Sequence, residues 1–112
     1  DGGAEVRTGN TLPRVTEKVW QAQVIGLAKT FGYRVYHPFL SKWSEKGYPD
    51  LTLVSERQKR VIWIECKTET GKVTPSQQEW LDALKEAGQE AYVFRPSDWD
   101  NVAKILRERS ES

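Results

Sequence analysis

The chain of 112 residues contains no methionine, one cysteine and one histidine, and each scarcity removes a class of chemistry. A lone Cys66 can close no internal disulfide and cannot supply the ligands of a structural zinc site. A lone His37 gives little support to a histidine-rich metal cluster or a Ser-His-Asp triad. No apolar run approaches the roughly 20 residues that a membrane-spanning helix needs. No glycine-rich phosphate loop of the Walker type is present, so a nucleotide cofactor is not expected. A net charge of +1 gives no global attraction to nucleic acid. Any such surface must come from local sorting of the seventeen basic side chains.

The chain opens on Asp1, Gly2, Gly3 and Ala4. With no methionine anywhere, it reads as lacking its natural start or as trimmed. Residues 1–12 are expected to be a flexible lead-in with no signal-peptide core, leaving 13–112 as one domain. A domain of this length buries about 65% of its unfolded surface. Five Trp, four Tyr and three Phe supply an aromatic-rich core. Cys66, set in an apolar strand, reads as a buried thiol, and a reducing intracellular compartment fits.

Helical spacing of Trp20, Val24, Leu27, Ala28 and Phe31 predicts a first helix, capped by Thr16 and closed at Gly32. A strand of about five residues is expected over Tyr33 to Pro38, then a loop from Phe39 to Tyr48. Two strands near 50–55 and 60–68 form a hairpin, the second rich in β-branched and aromatic residues. Thr74, Pro75 and Gln77 spell a capping box with proline at the first helical position, opening a helix that ends at Gly88. A short strand over Glu90 to Phe94 follows. Ser97 or Asp98 is expected to cap a last helix carrying Val102, Ile105 and Leu106. The fold class is α/β, in the order helix-strand-strand-strand-helix-strand-helix, with a mixed sheet flanked by helices.

The chemistry sits on the hairpin. Alternation puts Glu65 and Lys67 on one face of their strand and Cys66 on the other. A turn centred between Arg57 and Gln58 makes facing residues sum to 115, which sets Asp50 opposite Glu65. Cβ atoms so paired lie roughly 4.5–5.5 Å apart, close enough for two carboxylates to chelate one divalent ion and repulsive without one. Taken singly each element has an ordinary explanation: Asp50 after Pro49 as a turn, Glu65 and Lys67 as a solvated strand face. Glu17 can be a favourable charge at a helix N-terminus, and Gln77 a capping residue. Together they change the reading, because Val61 and Trp63 precede Glu65 on its face and the apolar side ends abruptly in charge. The stripes of the first helix and of the helix opening at Thr74 aim Glu17 and Gln77 at that same end.

Gly47-Tyr-Pro-Asp50, then Glu65-Cys-Lys67, then a helix opening with Gln77 resembles the PD-(D/E)xK nuclease superfamily. Glu17 and the run from Gln77 through Trp80, Leu81 and Leu84 to Gly88 resemble its VRR-NUC branch, over about residues 17–96. The resemblance implies a restriction-endonuclease-like core with Asp50 and Glu65 as metal-binding carboxylates and the Cys66 backbone carbonyl as a further ligand. It implies that Lys67 orients or activates the attacking water, that Glu17 ligates a second ion or an ion-bound water, and that Gln77 holds Lys67 or a scissile phosphate. Mg²⁺ or Mn²⁺ is the implied cofactor. Ser41, Lys42 and Lys46 in the loop before Asp50 are candidates for DNA contact. Arg57, Lys59 and Arg60 at the hairpin turn and Lys72 after the site are candidate phosphate contacts.

Short stand-alone members of this branch imply a four-way (Holliday) junction resolvase in DNA recombination and repair. It would act as a homodimer in the cytoplasm of a bacterial or phage-infected cell, with no membrane partner. The alternatives are a repair, flap or restriction-like nuclease acting with partner proteins, and a non-catalytic DNA-binding module. Trp43 and Trp99 are candidate interface residues.

Overall fold

The structure, a computed structural model, describes residues 15–38 and 45–107. The expected lead-in over 1–12 and the candidates Ser41, Lys42 and Trp43 lie outside the described residues. Four strands, β1 (Arg34–Tyr36), β2 (Leu51–Ser55), β3 (Arg60–Cys66) and β4 (Glu90–Phe94), and three helices, α1 (Glu17–Thr30), α2 (Pro75–Glu86) and α3 (Trp99–Arg107), follow in the order α1-β1-β2-β3-α2-β4-α3. They form one sheet in the order β1-β2-β3-β4, antiparallel except for the last pair. The parallel pair is joined through α2, as a crossover of this kind requires.

The hairpin register follows the numbering argument. Ser55 pairs with Arg60 and Leu51 with Ile64, so every pair sums to 115. One sheet face carries Leu51, Leu53, Ile62, Ile64 and Cys66, all fully buried beneath Trp20, Val24 and Ala28 of α1 and Val102 and Leu106 of α3. The Trp20 indole N–H donates to the Phe94 carbonyl at 2.8 Å and ties α1 to β4. On the other face α2 packs along β4, with Leu81 and Ala91 buried. No helix among the described residues is long and apolar enough to cross a membrane.

Thr16 caps α1 by accepting from the Val19 N–H, and Thr74 caps α2 with the reciprocal Gln77 bond. Two local expectations differ. The first strand is three residues rather than five: the Tyr33 N–H is taken by the Ala28 carbonyl at the end of α1, and Pro38 has no N–H to extend the ladder. The last helix is not capped by Ser97 or Asp98. Pro96–Asp98 form a short 3₁₀ turn, and the Asp98 carboxylate reaches back to the Arg95 N–H at 2.8 Å before α3 starts at Trp99.

Arg60 also departs from its expected place. It is buried, with Nε and Nη2 donating to the Glu90 carboxylate at 2.7 and 2.8 Å. Its Nη1 donates to the Tyr33 hydroxyl, Gln58 Oε1 and the Ile105 carbonyl. A guanidinium so enclosed is a clamp between the hairpin and the C-terminal end of α3, not a phosphate contact. Arg60→Ala is expected to lower unfolding stability by about 3 kcal/mol, measured by urea titration, because it removes the guanidinium that balances the part-buried Glu90 carboxylate and its bonds to Tyr33, Gln58 and Ile105.

Candidate active site

Asp50 stands immediately before β2 and Glu65 near the end of β3, so the register that pairs Leu51 with Ile64 brings them to opposed positions. One Asp50 oxygen, Oδ2, accepts the Cys66 backbone N–H at 2.9 Å. That bond fixes the carboxylate against the strand that carries Glu65. Glu65 is 1% exposed. Its Oε2 accepts from the Gln77 side-chain amide at 3.0 Å and lies 3.7 Å from Lys67 Nζ. Its Oε1 is buried and has no hydrogen-bond partner among the described residues.

An orphaned carboxylate oxygen in the interior is costly unless a ligand or proton completes it. Burial pushes the Glu65 carboxyl up to about 8, and the neighbouring Asp50 charge adds to the shift while Lys67 opposes it. The same burial raises the Cys66 thiol, with Asp50, Glu65 and Glu17 reinforcing it, so the thiol is inert. A bound cation would complete the orphaned oxygen and offset the raised Glu65 carboxyl, and the hard oxygen donors present suit Mg²⁺ or Mn²⁺. Asp50, Glu65 and the Cys66 carbonyl are the groups that would hold it, with water completing the shell.

Gln77 serves two ends of one amide. Its Oε1 accepts from the Thr74 N–H at 2.9 Å in the capping box, and its Nε2 donates to Glu65. Its protein partner at the site is therefore Glu65 rather than Lys67. Lys67, 8% exposed, lies just beyond β3 and donates its backbone N–H to the Phe94 carbonyl at 3.0 Å. Glu17 is placed at the same end of the molecule, and its charge acts on Glu65 and Cys66. It does not join the carboxylate pair: among the described residues no three His, Cys, Asp or Glu side chains converge as a metal cluster.

A cleft of about 290 Å³ opens beside Asp50 and Gln77, walled by His37, Pro38, Glu45, Lys46 and the segment Gly47 to Pro49. Lys46 is thus brought to the site. Arg57 and Lys59 are not; they occupy the hairpin turn at the far end of β2, five strand residues or about 17 Å from Asp50. Lys72 is exposed after the site. Two contributors were not foreseen. His37, which as a lone histidine marked no site, lines the cleft. Arg95 donates from Nη1 to the carbonyls of Thr68, Glu69 and Gly71, stapling the turn after Lys67 onto the end of β4. No spacing rule marks a lone arginine after a strand, so only the tertiary fold reveals it.

The hairpin thus carries a carboxylate pair and a lysine at one end of a four-stranded mixed sheet. The VRR-NUC domain model matches residues 39–98, a little over half of the chain and all of Asp50, Glu65, Lys67 and Gln77, and the chain belongs to that family. A solved structure described as a VRR_NUC domain protein shares the fold, with a TM-score of 0.65 and 24% identity over 85% of this chain and 88% of that one. No curated protein matches the chain.

Proposed function

We propose that the protein is a Mg²⁺- or Mn²⁺-dependent endonuclease that hydrolyses phosphodiester bonds of branched DNA, resolving four-way junctions as a homodimer. The observation that carries the metal-dependent reading is the buried, unpartnered Glu65 Oε1 opposite Asp50, a donor set that makes sense with a cation between the acids. A bound ion supplies a more acidic water and offsets charge on the phosphate. The protein's own groups do the rest. The Cys66 N–H and the Gln77 amide hold the two carboxylates in place before substrate arrives. Lys67 sets a fixed positive charge beside Glu65, where it orients the attacking water and attracts the phosphate. Glu17, further out, would hold a second ion or a water of the first. Two symmetric cuts from one site per chain call for a two-fold dimer.

The test is to incubate labelled four-way junction, flap and linear duplex with the protein, with and without Mg²⁺ or Mn²⁺. Paired symmetric nicks in the junction are expected. Equal cutting of linear duplex would sink the junction reading, and binding without cleavage under every metal would leave a DNA-binding module. Asp50→Ala and Lys67→Ala are each expected to lower the rate by about 10³-fold or more with the circular dichroism spectrum unchanged. A near-normal rate in either variant would remove that residue from the mechanism.

A further inference from the structure

We infer that Tyr36 is a stacking platform for an unstacked nucleobase beside the scissile phosphate, so that the site favours branched or frayed DNA over continuous duplex. The inference rests on the nuclease reading and deepens it. Of the four tyrosines, Tyr33, Tyr48 and Tyr92 all have committed hydroxyls or rings. Tyr36 has neither among the described residues, and it is 63% exposed. Its position gives that exposure meaning. Tyr36 pairs with Thr52, and Thr52 pairs with Trp63. Paired side chains share a face, so the three form a row on the face that carries Asp50 and Glu65.

Asp50 stands two residues before Thr52. Tyr36 and Asp50 are thus diagonal neighbours, a relation that places them roughly 7–8 Å apart and within reach of an aromatic side chain. The next two residues, His37 and Pro38, line the cleft together with Asp50, Gln77 and Lys46. A strand with its phosphate in the cleft beside the carboxylates therefore brings its adjoining nucleotide to the Tyr36 ring. A second copy of the chain is a poorer occupant, because a three-residue edge strand is too short to template another sheet and the cleft wall contributes a lysine. Base stacking on a ring requires the base to have left its own stack, which a branch point supplies and continuous duplex does not.

The experiment compares wild type, Tyr36→Ala and Tyr36→Phe by fluorescence anisotropy and cleavage rate on labelled four-way junctions. The junctions carry either normal or abasic nucleotides flanking the cut. Tyr36→Ala is expected to lower affinity roughly tenfold on normal DNA, Phe to restore it, and the abasic substrate to erase the difference. Melting temperatures should be equal across the three proteins. A Tyr36→Ala protein within twofold of wild type, or a deficit that persists on abasic DNA, overturns the assignment. Wild type that binds with this pattern but cuts under no metal sinks the nuclease reading and keeps the stacking one; wild type that neither binds nor cuts overturns both.

Discussion

Glu65→Gln is expected to lower cleavage by on the order of 10³-fold while making the ion-free protein more stable. Both effects follow from one environment. The carboxyl is buried, its Oε1 has no hydrogen-bond partner among the described residues, and burial raises it from an ordinary 4.5 to about 8. Between those two values the folded, ion-free protein keeps a proton that the unfolded chain has released. Stability therefore falls as pH rises from about 4.5 to about 8 and is level above that. Glutamine occupies the same space with no charge to desolvate, so its melting temperature should lack that slope. It should match wild type near pH 4 and exceed it at pH 8, each kcal/mol recovered raising it by about 4–8 °C.

Added Mg²⁺ is expected to reverse the ranking. A ligand that binds only the folded state stabilises it, and wild type should gain with added Mg²⁺ where Glu65→Gln does not. Thermal melts across pH, with and without the ion, read both predictions. An unchanged pH slope in the variant would mean that another group titrates, and an equal Mg²⁺ gain would place the ion elsewhere.

That site was legible because strand alternation and antiparallel pairing are arithmetic. Once a turn centre between Arg57 and Gln58 is accepted, Asp50 must meet Glu65, and the observed register agrees. Thr74 and Gln77 were legible for a similar reason, since a capping box is a local motif. The readings that failed depended on partners distant in sequence. Arg60 looked like one of three basic residues at a turn, yet Tyr33, Glu90 and Ile105 enclose it. His37 at a strand end gave no hint that the chain returns at Lys46 to make a cleft with it. Glu17 follows its helical stripe to the correct end, but a stripe fixes a direction and not a distance. The first helix places it near the pair without joining it.

Gly47→Ala is expected to damage both the fold and the site, and the reason is specific to where this glycine sits. Gly47 adopts φ of +86°, and a Cβ added there would lie 2.5 Å from the Ser76 carbonyl carbon and oxygen and 2.9 Å from the Gln77 nitrogen. These are backbone atoms of the first turn of α2, so no side chain can swing aside. Left-handed strain of roughly 1–2 kcal/mol and overpacking of roughly 1–3 kcal/mol together predict a loss of about 2–5 kcal/mol in urea unfolding. Relief can come only by parting the segment that leads to Asp50 from the helix turn that carries Gln77. Since Gln77 holds Glu65 and Asp50 faces it, either movement opens the carboxylate pair, and cleavage should fall at temperatures where the variant is still folded. Gly32 separates the two causes. It has the same φ of +86° with nothing within 4 Å of an added Cβ. Gly32→Ala should therefore show the strain alone, a loss of about 1–2 kcal/mol with cleavage unchanged. Equal stability losses in the two variants would show that backbone strain, not the close approach to α2, accounts for the effect at Gly47.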